Sequence, residues 1–258
     1  MSSNEIVKNA LGRTEVKMIV FISAKGGVGK TVTSVNMAVS LANEGFSTCI
    51  LDGNFQFGDV NLALDIQASF TIIDIVNETD HLESLKISYY LDKHKSGLNV
   101  LSAPMKPEQG DLITQFHIKA ICNKILEQHD FLIVDLPSGL SESNLTFMEI
   151  AQKIFLVTDS SLASVKNTKT MLRTIIMLNM NNKVKVIINH AEASNIINTK
   201  NVQEVLDVKE VAFISSNPKL VSKSFAVGIP YVSSKPNEKI SKEIRALASE
   251  LYNKEKSK

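Results

Sequence analysis

The sequence predicts an α/β fold: a doubly wound, mostly parallel sheet with helices on both faces. Three observations carry this. Short apolar, β-branched runs alternate with longer segments of helical period along almost the whole chain. Most of those runs are continuously apolar, as strands covered on both faces are, where a half-exposed strand would alternate. With 44% apolar residues in 258, the chain can build one large core, and at this size about 73% of the unfolded surface is expected to be buried.

The elements follow in order. The strand Met18–Ser23 opens the fold and leads through a glycine-rich loop into a helix over Thr31–Glu44. Thr48–Leu51 is the second strand, with a short helix after it over Thr71–Val76. Leu98–Ser102 is the third strand, followed by a helix over Phe116–Gln128. The run Phe131-Leu132-Ile133-Val134 makes Phe131–Asp135 a buried strand. Ile154–Thr158 is the next, with a helix over Leu162–Leu178. Val184–Asn189 precedes a helix over Thr199–Leu206, and Val211–Ile214 precedes one over Pro218–Val227. The last helix, Glu238–Tyr252, places Ile240, Ile244, Leu247 and Leu251 on one stripe. Lys239, Lys242, Arg245 and Lys254 could mark a membrane-surface helix, but Glu243, Glu250 and Glu255 dilute the basic face, so packing on the sheet is the expectation.

Domain organisation reads as a polar extension over residues 1–16, one domain over 17–254 and a charged tail over 255–258. No repeat, low-complexity tract or Pro-rich linker interrupts it; the six prolines begin only at Pro104. A balance of 28 basic against 27 acidic residues gives +1, unlike a strongly basic nucleic-acid binder or an acidic disordered chain. Charge is uneven, since residues 219–258 hold nine Lys/Arg and four Glu. Cys49 and Cys122 cannot make a disulfide framework and lack CxxC spacing; Cys49 reads as a buried, inert thiol. No stretch approaches the ~20 apolar residues of a membrane span, and residues 1–17 contain no apolar core of a signal peptide. The cytosol is the expected compartment. His81, His94, His117, His129 and His190 show no ligand spacing and read as surface or packing residues.

The sharpest feature is Ala24-Lys25-Gly26-Gly27-Val28-Gly29-Lys30-Thr31, with a strand before it and a helix after. A nucleoside triphosphate needs backbone N–H groups packed around its β-phosphate, and Gly26, Gly27 and Gly29 with Val28 permit that approach. It needs a cation at the β/γ oxygens, the role open to Lys30. It needs a hydroxyl on Mg²⁺, the role open to Thr31. The N-terminus of the following helix adds anion stabilisation, and Val32 closes the cofactor-binding set. Lys25 is surplus to these needs.

Ligands of doubly wound sheets sit beyond the carboxyl ends of strands, and two carboxylates stand at such ends. Asp52, one βαβ unit after the loop, is placed to act on magnesium-bound or attacking water. Asp135 is the second candidate to hold Mg²⁺, through water, and the turn Leu136-Pro137-Ser138-Gly139 after it could sense a γ-phosphate. Asn189 after the run Val184–Ile188, read alone, is as much an ordinary turn former as a ligand residue.

The loop departs from the ordinary phosphate-loop pattern at Ala24 and Lys25, and there the chain resembles the deviant Walker-A ATPases of the MinD/ParA (SIMIBI) group of P-loop NTPases. The resemblance implies an ATPase with ATP and Mg²⁺ as cofactors, and slow turnover is expected because Asn54 stands where relatives carry an aspartate. It implies an ATP-dependent homodimer in which Lys25 reaches across to the partner's ATP. It also implies that Asp135 holds the Walker-B position, that Asn189 reads the adenine edge, and that Pro218 (in Asn217-Pro218) makes a further base contact. Relatives carry Asp-x-Asp where this chain has Asp52-Gly53-Asn54. An amide cannot take a proton from water, so Asn54 puts hydrolysis in question and leaves binding intact; Gln56 is a second group that could orient water. Within the group the chain resembles the CpaE/TadZ ATPases of pilus assembly, through Gln56-Phe57-Gly58-Asp59-Val60-Asn61-Leu62, Leu98–Pro104, Asp130–Pro137, Asn217-Pro218-Lys219 and Gly228-Ile229-Pro230. The N-terminal receiver-like domain that those proteins often carry is not in this sequence.

The leading functional expectation is an ATP-driven switch that positions a cellular structure, with pilus or secretion machinery and a peripheral membrane contact as candidate partners. The alternatives are a ParA-type DNA-segregation ATPase, an ATP-binding scaffold with little turnover, and an iron–sulfur reductase like the nitrogenase iron protein. Balanced charge weighs against the first of these, and the positions of Cys49 and Cys122 against the last.

Overall fold

The computed structural model describes residues 17–78, 85–191, 199–208 and 211–252. The polar extension, His81 and the charged tail lie outside them. Eight strands form one sheet in the order β3-β4-β2-β5-β1-β6-β7-β8. They are β1 (Met18–Ser23), β2 (Thr48–Asp52), β3 (Asp92–Lys93), β4 (Asn99–Leu101), β5 (Phe131–Asp135), β6 (Lys153–Thr158), β7 (Val184–Ala191) and β8 (Val211–Ser215). Every pairing is parallel except β3 with β4.

The helices are α1 (Lys30–Asn43), α2 (Val60–Leu64), α3 (Ile72–Val76), α4 (Gln115–Gln128) and α5 (Glu142–Ile150). They continue with α6 (Leu162–Met177), α7 (Thr199–Leu206), α8 (Pro218–Ala226), α9 (Tyr231–Ser234) and α10 (Lys239–Ser249). Two cores result, one on each face of the sheet. Met18, Val20 and Ile22 of β1 join α3, α4, α5 and α6 in one, while Ile19 and Phe21 join α1, α9 and α10 in the other. The alternation follows from the two-residue period of a strand. It explains why β1 reads as an unbroken apolar run.

The last helix settles its own question. Ile240, Ile244, Leu247 and Leu251 are all buried in the second core. Glu243 accepts hydrogen bonds from the Ser215 amide and hydroxyl, both at 2.7 Å, and Glu250 pairs with Lys185. Those acidic residues tie α10 to β8 and β7, so its apolar stripe faces the sheet.

Several elements differ from expectation. The helices α2, α5 and α9 and the strand β3 were not expected. The third strand is shorter than Leu98–Ser102, because Ser102 leaves the ladder to bridge Thr71. Conversely β7 runs on to Ala191, so Asn189 lies inside a strand and not in a turn.

The chain moves to one side of β1 through α1 and β2, and crosses to the other side through β5, α5 and β6. The order of the sheet therefore reverses at β1, where such folds open a crevice at the strands' carboxyl ends.

Candidate functional site

The crevice above β1 holds the glycine-rich loop. Gly27 and Gly29 have φ of +79° and +82°, a conformation that favours glycine. Gly29 is doubly constrained, because a Cβ there would overlap the Asn189 side-chain amide. That amide comes from β7 and donates from Nδ2 to the Val28 carbonyl at 2.8 Å. With Asn189 only 5% exposed, the bond braces the loop from below.

Asp135 at the end of β5 gathers the loop's polar groups. Lys30 donates from Nζ to its Oδ1 at 3.0 Å, and Thr31 from Oγ1 to its Oδ2 at 2.7 Å. The Ser34 hydroxyl lies 2.9 Å from Oδ1 and 2.9 Å from the Thr31 carbonyl. Ser34 was missed in the sequence, although its i+3 spacing from Thr31 puts both hydroxyls on one helix face.

Asp52 is the register partner of Asp135 across β2 and β5. It is 2% exposed, and its oxygens accept the Asn54 and Val60 amides, each at 3.1 Å. Burial, and then the charge of Asp135, push its carboxyl up to about 7. Two interior carboxylates beside a hydroxyl fit a divalent cation, whose charge would offset the burial and the repulsion that raise Asp52. Together with the glycine cradle, the donor set suits Mg²⁺ bound with phosphate: Asp52, Asp135 and Thr31 would hold the metal, and Gly26 to Val32 the phosphates. Gly58 packs so closely that a Cβ on it would overlap the Asp52 carboxylate.

Asn54 has a local task. It donates from Nδ2 to the Phe57 carbonyl at 2.6 Å and accepts the Phe57 amide at 3.4 Å. The side chain closes its own loop, while Gln56 is exposed. Lys25 is exposed too and leaves β1 beside β6, whose Val157 pairs with Ser23. Asp159 leaves β6 at the same level. Although burial works to raise it, hydrogen bonds from Ser161 and Ser164 hold its carboxyl below the usual range, and the Lys25 charge adds to them. The turn Leu136–Gly139 lies against the loop, tied by the Gly139 amide to the Ser23 carbonyl at 2.9 Å. Pro218 is the first residue of α8, capped by Asn217, which accepts the Leu220 amide at 3.2 Å. It follows β8, the neighbour of the strand that carries Asn189.

Of the histidines, His94 and His129 are buried. Cys49 and Cys122 are buried in one core, and burial drives both thiols far above the usual range. Among the described residues no group of three or more His, Cys, Asp and Glu side chains could hold a metal.

A strand, a glycine cradle at a helix N-terminus, a lysine and hydroxyl on one strand-end aspartate, and a second buried carboxylate define a nucleoside triphosphatase of the P-loop class. The family model described as ParA, NUBPL iron-transfer P-loop NTPase, matches residues 15–252, and the chain belongs to that family. It is 26% identical over 243 residues to the septum site-determining protein MinD of Thermotoga maritima, covering 91% of this chain and 87% of that one. A ParA family ATPase from Chlorobium tepidum superposes with a TM-score of 0.83 at 21% identity, over 90% of this chain and 98% of that one. The MinD of Pyrococcus horikoshii, solved with Mg-ADP, superposes at 0.78 with 22% identity, over 91% and 95%. The chain is thus a P-loop ATPase of the MinD/ParA type. No helix among the described residues is long and apolar enough to cross a membrane.

Proposed function

We propose that residues 17–254 form one ATPase unit that closes into a homodimer on ATP, binds a partner in that state and releases it on hydrolysis. The observation that carries this reading is the pairing of Lys30 and Thr31 with Asp135, beside an exposed Lys25 that the loop does not consume. In this reading Lys30 meets the β/γ oxygens and Asp52, Asp135 and Thr31 hold Mg²⁺. Asn189 and Pro218 border the base, Lys25 reaches the second nucleotide, and the turn Leu136–Gly139 senses the γ-phosphate. The resemblance to CpaE/TadZ supports pilus or secretion machinery as the cargo, with the protein cytoplasmic or peripheral at the inner face of the cell membrane.

A scaffold that holds ATP with little turnover is the second reading, favoured by Asn54, whose amide is spent on Phe57. DNA segregation is less supported, because the net charge of +1 offers little counterion release. Iron handling through thiolates lacks ligands, because both cysteines of the chain are buried.

The test is the ATPase rate of the purified protein alone, with DNA and with anionic vesicles, beside Lys30→Ala. A positioning ATPase shows a slow basal rate, stimulation by a partner surface and no nucleotide binding in Lys30→Ala. Unchanged ATP affinity in that variant would refute the site.

A further inference from the structure

The helix that follows the Leu136–Gly139 turn contains a polar side chain whose geometry serves the turn. Asn144 lies in the first turn of α5, where its own amide is capped by the Ser141 hydroxyl at 3.1 Å. Its side chain points back and donates from Nδ2 to the Gly139 carbonyl at 2.8 Å and the Pro137 carbonyl at 3.3 Å. The residue is 1% exposed, and its Oδ1 is buried with no hydrogen-bond partner among the described residues. As a packing residue this is a poor choice. An unpaired interior acceptor costs free energy that an apolar side chain of the same shape would not. The gain is control of the turn.

Three further facts show what that control acts on. Gly139 has φ of +94°, so the turn is held in a conformation that favours glycine. Its Ser138 hydroxyl lies 4.0 Å from where a Cβ on Gly26 would be, so the turn abuts the phosphate loop. The turn also borders a cavity of about 290 Å³ lined by Ala24, Leu140, Met171 and Thr174, which gives it room to shift.

We infer that Asn144 is a positioning residue that sets the Leu136–Gly139 turn, and through it the preference of the site for ATP over ADP. The inference rests on the reading that this turn meets the γ-phosphate. Only a group that ADP lacks can be discriminated through it, so a loosened turn weakens ATP binding and leaves ADP binding alone.

The experiment measures the affinities of ADP and of a non-hydrolysable ATP analogue, with Mg²⁺, in the parent, Asn144→Ala, Asn144→Ser and Gly139→Ala. Asn144→Ala should lower the ATP-over-ADP preference at least about five-fold, the lower end of ordinary site coupling, with ADP affinity essentially unchanged. Asn144→Ser keeps a polar side chain whose hydroxyl, one atom shorter than Nδ2, falls short of the Gly139 carbonyl, so it should lower the preference as well; it also decides the matter if the alanine variant does not fold. If both variants keep the preference while Gly139→Ala lowers it, the turn senses the γ-phosphate without Asn144 and the inference is wrong. If Gly139→Ala keeps it as well, the reading of the turn fails, and the inference with it. Parallel loss of ADP and ATP affinity would show a purely structural role and would also overturn it.

Discussion

Asn54 shows how one residue's chemistry is set by what its side chain touches. Its amide donates to the Phe57 carbonyl at 2.6 Å, a bond that a carboxylate cannot make. Asn54→Asp therefore loses that bond, keeps only the longer one accepted from the Phe57 amide at 3.4 Å, and adds a proton acceptor beyond the end of β2. General-base help is typically worth about 100- to 10,000-fold, but a loose phosphoryl-transfer transition state depends more on positioning. Asn54→Asp should raise steady-state turnover at least several-fold with little change in ATP affinity. A variant no faster than the parent would show that residue 54 does not serve the γ-phosphate. Asp52 makes a second prediction, on stability. Its folded carboxyl, raised to about 7 from an unfolded value near ~3.9, favours the folded state at low pH and ceases to do so as pH rises through 7. His94 and His129, held low by burial, act oppositely: their contribution is present above the unfolded histidine value and lost as pH falls. The measurement is thus the difference in thermal midpoint between parent and Asp52→Asn, without nucleotide, from pH 5 to 8. The variant should gain on the parent as pH rises towards 7 and level off above it, and a difference that stays constant from pH 5 to 7 would contradict the raised carboxyl. Lys30, Thr31, Asp52 and Asp135 were legible from residue type and strand-end position. Ser34 and Asn144 were not, since a serine or asparagine in a helix has many uses and only the fold shows which atom it meets.

At the scale of the element, long segments were legible and short ones were not. β1, β5 and β6 are buried on both faces, so their apolar runs identify them without the fold. By contrast, α2 has five residues, too few to be stable by itself, and exists where Val60 donates its amide to Asp52 and Asn61 accepts from the Ser102 hydroxyl. The two-residue β3 is held only by its ladder with β4. Nothing local marks either one. Asn189 belongs to this scale as well, because it joins β7 to the phosphate loop across 161 positions of sequence. Asn189→Ala removes the donor to the Val28 carbonyl, so both ATP and ADP should bind more weakly, by roughly 5- to 10-fold for one hydrogen bond of ordinary strength. Titration with each nucleotide checks this. Loss with adenine nucleotides and none with guanine nucleotides would assign Asn189 to the base, while an equal loss with both would assign it to the loop.

Across the whole molecule, the sheet places every charged group of the site on one open edge, and Lys25 stands out there. It is exposed, and the charge it faces is that of Asp159, which the Ser161 and Ser164 hydrogen bonds already stabilise as a carboxylate. A lysine placed this way is poorly used within one chain, because Lys30 already occupies Asp135 at 3.0 Å. A second copy facing the same edge would bring a phosphate chain, a far stronger partner for an ammonium group than a solvated carboxylate. Dimerisation should therefore require ATP and Lys25 together. Light scattering of the parent should give a monomer with ADP and a dimer with a non-hydrolysable ATP analogue. Lys25→Ala should stay monomeric with both while binding one analogue molecule per chain with nearly parental affinity. Retained analogue binding separates the two lysines, because Lys30→Ala should lose the nucleotide itself. A Lys25→Ala protein that dimerises as well as the parent, or a parent that is monomeric in both nucleotides, would remove the second copy from the mechanism. Phosphate recognition would then belong to the single chain.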